Sequence, residues 1–319
     1  MLKPQGFELR YFPSLDDFEE WQRGRGPHQQ FHIEIAVGTH TERSILWALL
    51  DRGATVDVTL HDPPFVAFPY YRSGNRWMNQ ASKLAQIGLP QRLFGLAKVR
   101  RIRRIFVLSH IGCARTLSAY PGAAVRPLPF ICVGRPRPVR NEAPELVYTG
   151  FIGKKKGLDY ALQIHQALLA EFPDLVFKVV GEPVDRITGA YFKALQQRYR
   201  DHVEYLGYVD DETFTGLLCA GHVVMLPTRD YGTICPVSAN ILNALTLGSL
   251  VVSTAANANA EFIEDGVNGR LLRNVLEEDI AIIAGLLRDH AMRSRMIAEA
   301  QVRLARENSP ERVREVLAA

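Results

Sequence analysis

Residues 146–169 read LVYTGFIGKKKGLDYALQIHQALL, and the type of fold can be predicted from this stretch. It begins with a short apolar, β-branched run, turns through glycines at positions 150, 153 and 157, and ends in a helical pattern. The apolar face of that pattern has the i, i+3, i+4, i+7 spacing and consists of Leu158, Ala161, Leu162, His165, Leu168 and Leu169. The stretch predicts a buried strand followed by an amphipathic helix, with His165 as a core histidine rather than a ligand.

The same alternation continues on both sides of this stretch. Downstream, apolar strand-like runs that precede helical patterns lie at 175–181, 203–207, 222–227 and 250–254. Upstream, strands are predicted at 6–12, 31–37, 56–62 and 103–110, and helices at 14–21 and 42–53. Continuous apolar strands joined by helices indicate parallel sheets covered on both faces. The sequence therefore predicts an α/β protein with two Rossmann-like parallel-sheet domains, the first of them shortened.

The domain boundary is predicted in the segment 134–144, which is rich in proline and charge. This gives an amino-terminal domain at 1–138, a second domain at 139–305 and a terminal helix at 306–319. Because ligands of parallel sheets bind at the carboxyl ends of the strands, we expect the function in a cleft between the two domains.

Charge and cysteine usage narrow the class of protein. Residues 1–140 contain 20 Lys and Arg and 10 Asp and Glu, whereas residues 141–319 contain 18 Lys and Arg and 24 Asp and Glu. The net charges of the two halves therefore have opposite signs. The amino terminus has no signal-peptide pattern, and no apolar run has the roughly 20 residues of a membrane span. Four scattered cysteines, at positions 113, 132, 219 and 235, are typical of reduced thiols, which predicts a cytoplasmic protein without a metal centre.

The segment from Gly150 to Gly157 predicts an anion site. Its three lysines, Lys154, Lys155 and Lys156, stand at the start of a helix. Cations cost about 0.3–1 kcal/mol each at that end of a helix. Glycines let the backbone turn tightly and offer its N–H groups to a ligand. A bound diphosphate would account for this cluster; a solvated charge run on a loop is the alternative.

A second segment, Cys235 to Gly248, reads as a helix that follows the strand at 222–227. Ser238 is a predicted N-cap, and the first turn contains no acidic residue to occupy its N–H groups, which leaves an anion site at the end of a second strand. An ordinary buried, capped helix explains this segment equally well.

These segments, in this order, resemble the retaining glycosyltransferases of family 4, which have the GT-B fold. The resemblance lies in Lys156-Gly157, in Pro227-Thr228, in NALTLGSLVV at 243–252 and above all in EFIEDGVNG at 261–269. It covers roughly residues 31–305. It implies transfer of a hexose from a UDP- or GDP-sugar to a glycan or lipid-linked acceptor, without a metal or a cofactor and with retained anomeric configuration.

The resemblance also implies roles for single residues. Lys156 neutralises the donor diphosphate, and the N–H groups of Ser238 and Ala239 hold its distal phosphate. His61 faces the transferred sugar. Gly150 belongs to the diphosphate turn, and Gly181 and the segment 206–209 line the base pocket.

The sequence departs from the family at several positions. Phe151 replaces an arginine, for which Lys154 or Lys155 is a candidate substitute, and Asn243 replaces the glutamate that holds the donor ribose. Asp230 stands in place of the family's catalytic glutamate or is a turn aspartate before Tyr231. The family's opening strand and acceptor loop have no counterpart, which predicts a shortened first domain or an incomplete chain.

The sequence allows more than one interpretation of several other charged residues. A peripheral contact with the inner face of the membrane, or a solvated helix face, is predicted for the basic residues Lys98, Arg100, Arg101, Arg103 and Arg104. Nucleic acid binding is not expected, since no aromatic residues are interleaved with them. The acidic segment from Val209 to Glu212 is predicted to cap the start of a helix rather than bind a metal. His32 and Glu34 share one face of a strand, in a cleft wall or a structural strand end.

The sequence is compatible with three functions. The first is an active retaining glycosyltransferase. The second is a non-catalytic relative that binds sugar nucleotides, which Phe151 and Asn243 favour. The third is a GT-B epimerase that acts on a UDP-sugar.

Overall fold

The computed structural model describes residues 8, 10–25, 30–36, 39–67, 77, 95–132, 134, 145–219 and 222–319. The chain forms two compact units. The first comprises residues 1–129, 232–237 and 313–319, and the second comprises residues 130–231 and 238–312. The predicted linker at 134–144 lies, apart from Gly134, outside the described residues.

The first unit contains a four-stranded parallel sheet in the order β1-β2-β3-β4. Its strands are β1 Gln30–Ile35, β2 Thr55–Leu60, β3 Arg104–Val107 and β4 Val125–Pro127. Its helices are α1 Leu15–Gln22, α2 Thr41–Asp51, α3 Leu96–Val99 and α4 His110–Ala119. The predicted strands at 31–37, 56–62 and 103–110 and both predicted helices are confirmed, while β4 was not predicted.

The second unit contains a six-stranded parallel sheet in the order β10-β9-β8-β5-β6-β7. Its strands are β5 Leu146–Thr149, β6 Phe177–Val180, β7 Val203–Gly207, β8 Val223–Leu226, β9 Leu250–Thr254 and β10 Arg270–Leu272. The remaining helices are α5 Leu158–Leu168, α6 Arg186–Arg198, α7 Asp211–Leu218, α8 Ala239–Leu247, α9 Asn259–Phe262, α10 Leu276–Arg288, α11 His290–Glu307 and α12 Pro310–Ala318. Two parallel-sheet α/β units confirm the predicted fold class.

One predicted strand is wrong. Of the run at 6–12, the described residues 8 and 10–12 lie in no strand. The aromatic ring of Phe12 instead packs edge-on against Phe18 of α1, at a centroid distance of 5.3 Å, and lies equally close to Trp21. Phe12, at the end of this run, therefore covers a helix rather than extends the sheet.

Several predictions for single residues are confirmed. His165 lies in the core, 1% exposed, with its Nε2 2.9 Å from the carbonyl oxygen of Leu175. Asp210 caps α7, since its side chain accepts the N–H of Thr213 at 2.8 Å. All four cysteines are free thiols, and three of them are buried. Among the described helices, none is both long and apolar enough to span a bilayer.

Candidate functional site

Three neighbouring strands of the second sheet end on glycines with positive φ. Gly150, Gly181 and Gly207 follow or close β5, β6 and β7, with φ of 122°, 134° and 66°. The N–H of Gly181 donates to the carbonyl oxygen of Gly207 at 2.8 Å, and a Cβ on Gly181 would lie only 2.1 Å from the carbonyl oxygen of Gly150. The glycines therefore let the ends of these strands pack closely against one another at the carboxyl edge of the sheet, the edge at which ligands of parallel sheets bind.

The predicted lysine cluster lies at the same edge. Lys154–Lys156 form one 3-10 turn, and Gly157, with φ of 78°, leads into α5. Lys156 is half-buried, and its Nζ lies 6.0 Å from the ring centroid of Tyr231. Within the described residues, no carboxylate forms an ion pair with Lys156. A cation without an anionic partner at this position is suited to a phosphate.

Arg229, which the sequence analysis missed, holds the lysine turn in place. Its N–H donates to the carbonyl oxygen of Lys155 at 2.8 Å, and its guanidinium donates to the carbonyl oxygen of Lys154 and pairs with Asp159 at 2.8 Å. Lys155 Nζ in turn donates to the carbonyl oxygen of Asp230 at 2.5 Å. Lys155 is thus committed to a structural bond. Of the two candidate substitutes for the family arginine, the exposed Lys154 is the one whose ammonium group meets no described partner.

The start of α8 offers unbonded N–H groups. Ser238 occupies the N-cap position, but its side chain makes no capping hydrogen bond, which corrects the prediction that this hydroxyl caps the helix. In the part of the chain that the structure describes, the N–H groups of Ser238 and Ala239 have no acceptor, and Ala239 is exposed. The first turn contains no acidic residue. Such a helix end attracts an anion.

Asn240 joins the two predicted segments. Its Nδ2 donates to the carbonyl oxygen of Thr149 at 3.0 Å, and a Cβ on Gly150 would lie 2.6 Å from the same nitrogen. The first turn of α8 therefore lies directly beside the end of β5, where the lysine turn begins. Asn243, one turn further along α8, is exposed and so is accessible to a ligand hydroxyl.

A buried amide fixes the loop that carries Asp230. Asn259 is 3% exposed, and its Nδ2 lies 2.8 Å from Thr228 Oγ1 and 3.0 Å from Ser253 Oγ. The neighbouring Asn257 accepts the N–H of Tyr231 at 3.2 Å. Asp230 itself is exposed. These contacts set the loop 228–231 against the end of β9.

The segment 261–269, the strongest sequence resemblance, is a structural turn. Asn268 is 2% exposed; its Oδ1 accepts the N–H of Glu264 at 2.7 Å and its Nδ2 donates to the carbonyl oxygen of Phe262 at 2.9 Å. Asp265 accepts the N–H of Leu271 at 3.0 Å. These side chains stabilise the connection into β10.

In the first unit, His61 follows β2, and its Nε2 lies 2.6 Å from an oxygen of Glu34 on the neighbouring strand. The sequence predicted that Glu34 shares a strand face with His32, but it did not predict that Glu34 is the partner of His61.

The basic residues 98–104 are largely held by local partners. Arg103 and Arg104 both pair with Asp57, at 2.5 and 2.7 Å, and Arg101 pairs with Asp51 at 2.9 Å. Arg100 donates to the carbonyl oxygen of Pro121, and the Lys98 ammonium lies 5.5 Å from the ring centroid of Trp47. These contacts hold the basic side chains against their neighbours, and the predicted membrane contact stays a prediction.

The chain is similar in sequence to known glycosyl transferases. Residues 143–289 match the family model described as glycosyl transferases group 1. The alpha-D-kanosaminyltransferase of Streptomyces kanamyceticus is 25% identical over 168 residues, which are 50% of this chain and 40% of that protein. The chain spans well under half the length of the curated relatives that it matches.

Two solved structures share the fold. Sucrose-phosphate synthase from Thermosynechococcus elongatus has a TM-score of 0.71 at 17% identity, over 95% of this chain and 75% of that one. HepE from Anabaena, in complex with UDP-glucose, has a TM-score of 0.68 at 16% identity, over 89% of this chain and 78% of that one. The chain therefore has the GT-B fold.

Proposed function

We propose that this chain, whose second unit matches the group 1 glycosyl transferases, is a glycosyltransferase that uses a nucleotide-diphosphate sugar. It moves a hexose to a glycan or lipid-linked acceptor, retains the anomeric configuration and needs neither a metal nor a cofactor. The observation that carries the proposal is a convergence at one sheet edge. There Asn240 joins the start of α8, with its unbonded N–H groups, to the end of β5. The turn that follows β5 carries Lys156, which pairs with no described carboxylate.

The donor is held by the second unit in this proposal. Lys156 neutralises the diphosphate, and the N–H groups of Ser238 and Ala239 bind its distal phosphate. Asn243 bonds a ribose hydroxyl. The base lies over the glycine-lined strand ends beside Leu206 and Tyr208, whose side chains are 36% and 68% exposed and so offer an apolar surface. HepE, which has this fold, was solved with UDP-glucose, so UDP-sugars are the first donors to test.

For the transfer step we propose that His61 contacts the transferred sugar and that Asp230 takes part in the transfer. The departing phosphate assists the attacking hydroxyl. We do not extend the proposal to membrane binding, because Arg101, Arg103 and Arg104 are paired with carboxylates.

The test is a thermal-shift panel of UDP, GDP and their sugars, followed by calorimetric titration of the best ligand. A ligand that binds only the folded state raises Tm. Lys156→Ala removes one charge-assisted contact, for which we expect a loss of about 1.5–3 kcal/mol, or roughly 10–150-fold in Kd. Lys193→Ala, an exposed lysine on α6, is the matched control and should bind as the wild type does. Equal affinity of the two variants would refute the site.

A non-catalytic relative is the second candidate, and two observations favour it. Phe151, in place of the family arginine, is 55% exposed and uncharged, and Asn243 presents an amide instead of a carboxylate. Binding of a sugar nucleotide without transfer or hydrolysis would establish this candidate. Detection of a transferred or released sugar would exclude it, and an epimerised donor would identify the epimerase.

A further inference from the structure

The carboxyl edge of the first sheet carries four polar side chains on one face. His32 and Glu34 alternate along β1, and Thr59 and His61 alternate at the end of β2. The register pairs Glu34 with Thr59, and the N–H of His61 donates to the carbonyl oxygen of Ile35 at 2.8 Å. Side chains two apart on a strand point to the same face, so adjacent parallel strands bring these four together.

The four side chains form one connected chain of contacts. Thr59 Oγ1 lies 2.7 Å from His32 Nε2, which lies 3.3 Å from one oxygen of Glu34. The other oxygen of Glu34 lies 2.6 Å from His61 Nε2. The His32 ring is stacked on Phe106 of β3, with centroids 5.9 Å apart and planes at 16°. Glu34 is therefore fixed on one side by a packed imidazole and holds His61 on the other.

The exposed end of this chain is His61. The His32 side chain is 23% exposed, whereas that of His61 is 41% exposed and that of Glu34 is 59% exposed. Exposed ion pairs contribute only about 0–1 kcal/mol to folding. Stability alone therefore gives little reason to place two imidazoles on one carboxylate at a ligand-binding edge.

The pKa shifts of Glu34 and His61 agree with this arrangement of side chains. Partial burial raises the pKa of Glu34, but hydrogen bonds from His32 and His61 outweigh it and lower that pKa to about 2. The hydrogen bond to Glu34 is the main reason that the pKa of His61 is raised, and the charge of Asp62 adds to it. At neutral pH the pair is thus a carboxylate and an imidazole that keeps its second proton to a higher pH than usual.

We propose that Glu34 is the positioning residue of His61: it fixes the ring through Nε2, so that Nδ1 is presented to a ligand oxygen. The ligand class is a sugar hydroxyl or a phosphate oxygen. The role toward a transferred sugar depends on the proposed function, but the pairing of Glu34 with His61 does not.

The experiment is an NMR titration of the full chain with 15N-labelled histidine, in which His61→Gln assigns the His61 signal. In Glu34→Gln the His61 midpoint should fall toward the ordinary value of 6.5, and that of Glu42→Gln, an acidic residue of α2, should match the wild type. An unchanged His61 midpoint in Glu34→Gln would overturn the pairing.

Function is read from pH profiles of the same variants. In Glu34→Gln, kcat/KM should begin to fall at a lower pH than in the wild type, with circular dichroism unchanged. A shifted NMR midpoint with an unshifted kcat/KM profile would overturn the positioning role. If the wild type binds sugar nucleotides without turnover, the proposed transfer fails, and the pH dependence of donor affinity then tests Glu34 in the same way.

Discussion

Gly157→Ala tests whether the lysine turn is built on close backbone contact. Gly157 has φ of 78° and lies between Lys156 and α5. A Cβ at this position would lie 1.9 Å from the carbonyl oxygen of Pro227, at the end of β8. Because weak C···O contacts are normally about 3.3–3.6 Å, the turn would have to withdraw by roughly 1.5 Å. The substitution should therefore separate the lysine turn from the strand that leads to α8.

The expected loss of stability in Gly157→Ala can be estimated by comparison with Gly266→Ala. Gly266 has φ of 80°, and nothing lies within 4 Å of the point that a Cβ would occupy, so it carries the same conformational strain without the contact. Left-handed backbone costs a non-glycine residue about 1–2 kcal/mol. Alanine also makes the unfolded chain less flexible than glycine does, and this effect offsets about 0.4–1 kcal/mol of the cost. We expect Gly266→Ala to lose about 1 kcal/mol and Gly157→Ala to lose roughly 4 kcal/mol or more, the range of severe steric defects.

The assay is urea unfolding followed by circular dichroism, with the unfolding free energies of both variants compared at equal m-values. Calorimetric titration with the best nucleotide follows for whichever variants fold. Gly157→Ala should be the less stable variant and should bind nucleotide more weakly than Gly266→Ala. Equal unfolding free energies for the two variants would refute the claim that contact with Pro227 positions the turn.

Two further predictions concern carboxylates that hold the fold. Asp279 is fully buried and accepts two backbone N–H groups and a tyrosine hydroxyl, so Asp279→Ala should cost about 2–4 kcal/mol in urea unfolding, while the exposed neighbour Glu278→Ala should change it by less than about 0.5. A small loss for Asp279→Ala would contradict this account. Burial raises the pKa of Asp57, but bonds from two arginines outweigh it and lower that pKa. A lowered folded pKa adds stability above the unfolded value of 3.8 that is lost as pH falls below it, so Asp57→Asn should flatten the acid side of a plot of Tm against pH; an unchanged slope would count against the pairing.

Strands and helices followed from the sequence where the apolar pattern was continuous. The runs that became β5, β6, β8 and β9 consist almost entirely of buried residues, and such runs have few alternatives to a parallel sheet. The run that became β7 lies at the edge of the sheet and is only partly buried. The run at 6–12 has the same local composition, yet its described part joins no strand, because Phe12 packs on α1 instead. Periodicity predicts that a side chain is buried but not which neighbour buries it.

For the candidate site, local sequence specified the chemistry of the pieces: glycine turns, a lysine cluster and a helix start free of acidic residues. How these pieces are used depends on contacts that form only in the folded chain. Those contacts commit Lys155 to a carbonyl oxygen, leave Lys156 without a carboxylate among the described residues, and join β5 to α8 through Asn240. They also place Glu34 on His61, 27 residues away in sequence. Such pairings depend on strand order and register, which arise from packing of the whole sheet, and a local stretch of sequence does not encode them.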